Sequence, residues 1–176
     1  TGIHMSALTP ERGADGTLVE RLDLTGDGKP NLWRIYRMEG EGEAAKKVLI
    51  RKDIDQDKDG RLDVRQHIGA DGEVYKEEVD LDYDGRVDAI VHYKGNQVIK
   101  REMDLTLDGK ADIVKYYEDG KVVRKERDTD GNGAFDVWEY YQDGKLVRVG
   151  RDRDGDGKPE QFDDAPNPEG EDDEDA

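Results

Sequence analysis

Residues Asp128–Glu139 read D-T-D-G-N-G-A-F-D-V-W-E. Oxygen-bearing side chains stand at Asp128, Asp130 and Asn132, a glycine follows at Gly133, and Asp136 and Glu139 come after it. Alternate residues of a loop can turn several oxygens onto one hard cation, and the glycine supplies a bend that a residue with a Cβ resists. The pattern is that of a calcium loop. Aligning the chain on Gly133 brings five more loops into register, on Gly28, Gly60, Gly85, Gly109 and Gly157, with steps of 32, 25, 24, 24 and 24 residues between successive glycines. A fixed period of this size marks a repeat architecture.

The register is chemical as well as metrical. Five residues before the glycine stand Asp23, Asp55, Asp80, Asp104, Asp128 and Asp152. Three before stand Thr25, Asp57, Asp82, Thr106, Asp130 and Asp154, and one before stand Asp27, Asp59, Asp84, Asp108, Asn132 and Asp156. Three after stand Asn31, Asp63, Asp88, Asp112, Asp136 and Glu160. These positions, with Glu139, are the candidate metal ligands, and the carbonyl one past each glycine would add a further oxygen. Threonine is the weaker ligand, so loops 1 and 4 (Thr25, Thr106) are expected to bind less tightly than loops 2, 3, 5 and 6.

Composition points the same way. Of 176 residues 33% are hydrophobic and 41% charged, too polar for a thick core, and the net charge of −17 speaks against nucleic acid or an anionic membrane surface as partner. The aligned loop positions hold 20 of the 45 acids, and six bound divalent ions would bring −17 to −5. The competing reading is a soluble acidic surface whose Asp residues only form Asx-turns. There is no cysteine, hence no disulfide or thiolate site, and no apolar run of the ~18–20 residues that spans a bilayer. No signal peptide is visible, and Thr1–Met5 reads as a cloning remnant, a reading under which a native secretion signal could have been removed.

Between the loops lie short Tyr/Val/Ile-rich runs separated by turn signals: Asp15-Gly16, Asp71-Gly72, Gly95-Asn96, Asp119-Gly120 and Asp143-Gly144. No segment carries ten or more residues of helical periodicity, so these are not helix-loop-helix hands. Only Glu139 fills the twelfth loop place where an EF-hand has its bidentate Glu; the other loops put Arg34, Gln66, Val91, Lys115 and Asp163 there. Each repeat is loop, strand, tight turn, strand. Tyr36, Ile68, Tyr93, Tyr117 and Tyr141 recur eight past the glycine, and Trp33, Arg65, Ile90, Val114 and Trp138 five past, positions expected to line up as cross-strand ladders with a packing role.

The D-x-D-x-D-G-x-x-D loops resemble the calcium loops of thrombospondin type-3 repeats and of FG-GAP propeller repeats, Asp152–Glu160 (D-R-D-G-D-G-K-P-E) being especially similar to the latter. The chain departs from type-3 repeats in lacking their cysteines, and from propellers because 24 residues cannot make a four-stranded blade. The hairpins, with Tyr-Tyr-x-Asp-Gly-Lys at 116–121 and 140–145, resemble bacterial repeats of the MORN-like kind.

The expected fold is all-β: an antiparallel meander of ~24-residue β-hairpin repeats joined by calcium loops, about eleven strands in an elongated or curled sheet, loops along one edge and turns along the other. Residues 6–162 form the repeat domain, and 163–176, with eight acids and no base, are expected to be a disordered acidic tail. The expected function is a calcium-binding, non-catalytic scaffold or adhesion module of an exported bacterial protein, in the periplasm, on the cell surface or secreted. Its partner would be a protein or glycan at a cell surface, without membrane insertion. A calcium-dependent carbohydrate-binding module using the Tyr and Trp ladders is the alternative. An enzyme with paired carboxylates is disfavoured, because every loop carries the same acids and an active site should depart from the repeat. His67 and His92 share one repeat position, which favours structural placement.

Overall fold

Loops rich in glycine and aspartate alternate with β-branched and aromatic runs, and the chain folds accordingly. The structure, a computed structural model, describes residues 6–7, 10–13, 15–40 and 42–165. The segment Thr1–Met5 and the tail past Ala165 lie outside the described residues. The chain is all-β, an antiparallel meander, and divides into two compact units, 1–101 and 102–176, where the sequence reading has one continuous repeat domain. Among the described residues the only helical turn is a 3-10 turn, Gly42–Ala44, in the long first connection.

In unit 1 the strands follow one another as β3 (Leu18–Asp23), β4 (Leu32–Glu39), β5 (Lys46–Ile54), β6 (Val64–Ile68), β7 (Val74–Val79), β8 (Ala89–Lys94) and β9 (Gln97–Met103, its last two residues in unit 2). Two short pieces, β1 (Ser6–Ala7) and β2 (Glu11–Arg12), pair with β3 in a lead-in that sequence leaves without structure. Unit 2 continues with β10 (Ile113–Glu118), β11 (Lys121–Arg127), β12 (Val137–Gln142), β13 (Lys145–Arg151) and β14 (Gln161–Asp164). Among the described residues the strands number fourteen, against the expected eleven or so. Asp163 and Asp164, which the sequence reading gives to the tail, pair with Val149 and Arg148 of β13. Because connections alternate between the two ends of an antiparallel meander, the acidic loops of each unit share one end and the tight turns the other.

The tight turns show why their residues are needed. At Asp119-Gly120 and Asp143-Gly144 both central residues have positive φ (48° and 76°, 51° and 80°), the mirror-image turn whose twist matches the strands. Each of the four hairpins with a defined register also carries a bulge: the pairing skips Ile50, Tyr75, Val123 and Val147. A bulge bends its strand and adds one side chain to a face.

The core is thin. A ladder of apolar residues, Leu22–Leu32–Ile54–Val64–Val79–Ala89, crosses unit 1 next to the loops. The opposite face of the same strands is tied by charge instead: Asp53, 4% exposed, receives Arg51 at 3.0 Å and Arg65 at 3.3 Å, and Glu78 receives Lys76 at 2.6 Å. Linked ion pairs of this kind contribute more than isolated surface pairs. The expected ladders exist but are interleaved. Asp53 stands between Trp33 and Arg65, Glu126 between Val114 and Trp138, and Leu49, Val122 and Leu146 stand opposite Tyr36, Tyr117 and Tyr141. In unit 2 Val114 and Trp138 are buried, and Gly150 faces Trp138 across the pair. A Cβ at Gly150 would come within 2.9 Å of Pro159 and 3.0 Å of the Phe162 ring, so only glycine lets β14 close over this point.

Glu139 belongs to the sheet. It lies on β12 opposite Lys125, with Lys125 Nζ at 3.0 Å, Arg127 at 3.2 Å and the Tyr141 hydroxyl donating at 2.5 Å. Burial and the Glu139 hydrogen bond push Tyr141 up to about 12. A group whose folded value is raised contributes stability that is complete below its unfolded value, near 10, and is lost as pH rises through the folded one. The protein is therefore expected to keep its tyrosine-dependent stability to pH 10 and lose it between pH 10 and about 12, checked by melting temperature alongside tyrosinate absorbance. A Tyr141→Phe variant should show a smaller step, the remainder coming from Tyr36 and Tyr93, which burial also raises.

Candidate metal centres

Each acidic loop is spliced into the sheet by the backbone of its own ligand residues. The residue three past the glycine donates its N–H to the last strand residue before the loop, as Asp63 does to Ile54 (2.9 Å), Asp88 to Val79 (2.9 Å) and Asp136 to Arg127 (2.8 Å). The first Asp of the next loop then donates to the carbonyl of that residue: Asp55 to Asn31 (3.1 Å), Asp80 to Asp63 (2.8 Å), Asp128 to Asp112 (2.9 Å) and Asp152 to Asp136 (3.0 Å). Loops 1, 2 and 3 are thereby linked in unit 1, and loops 4, 5 and 6 in unit 2.

Within a loop, one oxygen of the first Asp always accepts the N–H of the aligned glycine, at distances from 2.6 Å (Asp128 to Gly133) to 3.0 Å (Asp55 to Gly60). The same N–H donors, those of Gly28 and Gly157 first, hold the Asp23 and Asp152 carboxyls below the ordinary Asp range, so both are ionised at neutral pH. The residue before the glycine accepts from the residue after it, as Asp59 does from Arg61 at 2.7 Å, and Asn31, Asp88 and Glu160 each accept the N–H of the loop's second residue.

The backbone of the loops holds a feature that the sequence reading lacks. Two residues before the aligned glycine, every loop turns to positive φ: Gly26, Lys58, Tyr83, Leu107, Gly131 and Gly155. Three of the six are not glycine, and a side chain in this region costs about 1–2 kcal/mol. Leu107, 38% exposed with φ 61°, has little packing to set against that cost. Leu107→Gly is expected to stabilise the fold by about 0.5–1 kcal/mol after the entropy glycine adds to the unfolded chain, a rise in melting temperature of about 1–4 °C by calorimetry.

Four loops bring three or four carboxylates within 4.8 Å of one another: Asp55, Asp57 and Asp63; Asp80, Asp82 and Asp88; Asp128, Asp130 and Asp136; and Asp152, Asp154, Asp156 and Glu160. These are loops 2, 3, 5 and 6, and each group could hold a metal ion. In loops 1 and 4 the threonine hydroxyls are spent on carboxylates, Thr25 on Asp23 and Thr106 on Asp112, both at 3.2 Å. Asp23, Asp27, Asp59, Asp84, Asp104, Asp108 and Asp112 lie in their loops but outside these carboxylate groups, and the Asn132 amide donates to Asp130 at 3.1 Å. Glu139 is not brought to the Asp128 group either; its oxygens are taken by Lys125, Arg127 and Tyr141. Trp138 is 7% exposed, which leaves it no ring face for a ligand, and half-buried Trp33 lines a cavity of about 210 Å³ between loops 1 and 2.

The backbone bonds just described would also form in a metal-free Asx-turn. What such a turn leaves unexplained is Asp88. It is 5% exposed, its Oδ2 accepts from Leu81 at 2.7 Å, and its Oδ1 is buried without a hydrogen-bond partner. A buried, unpartnered carboxylate oxygen beside two further carboxylates is strongly unfavourable, and a bound cation relieves both the desolvation and the repulsion. The donors are all oxygens, the set that hard cations take.

The chain matches no family model and no curated protein. Among solved structures it is similar to S. aureus TarM, solved as a mutant in complex with fondaparinux, alpha-GlcNAc-glycerol and UDP, at 12% identity and a TM-score of 0.42, over 64% of this chain and 21% of that one. It is also similar to accessory secretory proteins 1, 2 and 3 of Streptococcus pneumoniae, at 14% identity and a TM-score of 0.31, over 66% of this chain and 19% of that one. The chain thus spans about a fifth of the length of either, and likenesses of this size assign it neither ancestry nor activity.

Proposed function

We propose that this chain is a calcium-binding, non-catalytic repeat scaffold, serving as an adhesion or interaction module of an exported bacterial protein. The observation that carries the reading is the buried, unpartnered Asp88 Oδ1 in the Asp80–Asp82–Asp88 group. Calcium fits the loops better than magnesium does. It accepts six to eight oxygens in flexible geometry, carbonyls included, whereas magnesium demands a near-octahedral shell and keeps its waters. Sites of this make suit the millimolar calcium outside a cell, which favours export. Repetition of one ligand set in loop after loop serves a frame better than a catalyst, and the resemblance of the loops to those of thrombospondin type-3 and FG-GAP repeats agrees with it. The partner would be a protein or glycan at a cell surface. Beads coated with the chain are expected to hold to bacterial cells in calcium and to release them in chelator. Equal adhesion in both solutions, or none in either, would contradict the proposal.

A further inference from the structure

Loop 5 departs from the other loops one residue before its aligned glycine. The others carry Asp27, Asp59, Asp84, Asp108 and Asp156 there, and loop 5 carries Asn132. Asn132-Gly133 is the one Asn-Gly pair of the chain, and both residues are exposed. Such a pair can react with itself. The Gly133 backbone nitrogen attacks the Asn132 side-chain carbonyl carbon, the bond from that carbon to the amide nitrogen breaks, and the amide leaves as ammonia with the proton that Gly133 gives up. Water then opens the cyclic imide, giving aspartate by cleavage at one carbonyl and isoaspartate at the other. The step needs no reagent besides water, and glycine sets no side chain in the way of the attack.

The fold keeps that glycine where it is. Gly133 has φ 84°, and a Cβ there would run into the Lys110 side chain. The reactive pair is therefore built into loop 5. The loop also restrains both halves of it. The Gly133 N–H is held by Asp128 Oδ2 at 2.6 Å. The Asn132 amide donates to Asp130 Oδ2 at 3.1 Å, and its oxygen accepts the Ala134 N–H at 2.8 Å. Closing the imide ring folds the side chain onto its own backbone and breaks both of these Asn132 bonds. Asp128 and Asp130 are two of the three carboxylates gathered in this loop. Without a cation these like charges repel one another, and with one they stay together and keep hold of the reacting groups.

We propose that Asn132 is a deamidation site guarded by the cation of loop 5, preserved while the loop is loaded and converted to aspartate or isoaspartate while it is empty. The inference rests on the calcium reading of the loops. Aspartate would give loop 5 the residue that the other five loops carry. Isoaspartate adds a carbon to the backbone just before Gly133 and so unmakes the turn.

The test is to incubate the full chain at mildly alkaline pH, in about 2 mM calcium or in chelator. Peptide mass spectrometry follows the amide-to-acid conversion at Asn132, and native mass spectrometry counts the bound ions in the same samples. At the affinities of extracellular modules, calcium is expected to slow the conversion about 3–20-fold, the factor by which it favours the closed loop. Asp136→Asn, which removes a carboxylate from loop 5 alone, should convert in calcium about 3–20-fold faster than the parent. Asp88→Asn, in loop 3, should stay as protected as the parent. Equal rates in calcium and in chelator with ions bound would overturn the inference and leave the calcium reading standing. A chain that takes up no ions would overturn both. No conversion at Asn132 in chelator, or an Asp136→Asn chain as well protected by calcium as the parent, would also overturn the inference.

Discussion

Removing calcium is expected to lower the melting temperature of this protein by about 6–28 °C. Each site stabilises the fold by RT ln(1 + [Ca]/Kd), which at about 2 mM calcium and the 10⁻⁴–10⁻³ M affinities of extracellular modules is about 0.7–1.8 kcal/mol. The four loops that gather three or four carboxylates together supply about 3–7 kcal/mol, and in a chain of this size each kcal/mol moves the melting temperature by about 2–4 °C. The effect is large because the rest of the fold offers little to set against it. The core of unit 1 is thin, its apolar ladder joined by only a few further buried side chains such as Tyr36 and Val91, and part of the face behind it is held by ion pairs. Magnesium at equal concentration should restore only a small part of the loss. Calorimetry in calcium, in magnesium and in chelator reads all three.

The second large effect is expected from Trp138→Ala. Trp138 is 7% exposed and sits on β12 between Glu126 and Gly150, with Phe162 on β14 closing over Gly150. Truncating a buried tryptophan costs about 3–5 kcal/mol. That is a fall of about 6–20 °C in melting temperature, measured in calcium so that the loops stay loaded. Gly150→Ala acts on the same contact from the other side, because its new Cβ meets Pro159 and Phe162. If Trp138 were a ligand platform, its truncation would leave stability intact, and the melt separates the two roles.

Much of this was readable from the chain, and the reasons differ by element. The loops were legible because their chemistry repeats at fixed spacing from a glycine, so six weak matches reinforce one another. The hairpins were legible because Asp119-Gly120 and Asp143-Gly144 both need positive φ, which few dipeptides tolerate. The second left-handed position was only half visible: Gly26, Gly131 and Gly155 mark it, while Lys58, Tyr83 and Leu107 conceal it.

Glu139 shows how a motif misleads. It fills the twelfth place of a calcium loop, but β12 begins at Val137, and from there the strand sets its side chain against Lys125 and Arg127. A strand begun before the loop's twelfth residue leaves that residue to the sheet. The bulges at Ile50 and Tyr75 left no strong mark, since Val, Ile and Tyr suit a bulge as well as a regular pair. The bond from each loop's first Asp to the carbonyl of the preceding loop, as from Asp80 to Asp63, follows from the register of the strands.

The most direct measurement is a count of calcium ions bound to the metal-stripped protein by native mass spectrometry, for the parent chain and for Asp88→Asn. The parent is expected to take up four ions at low calcium, one for each loop with three or four gathered carboxylates, and further ions only at higher concentration. Asp88→Asn should lose one of the four while keeping its fold. Uptake no greater than that of an acidic control protein, or the same count in Asp88→Asn as in the parent, would contradict the account.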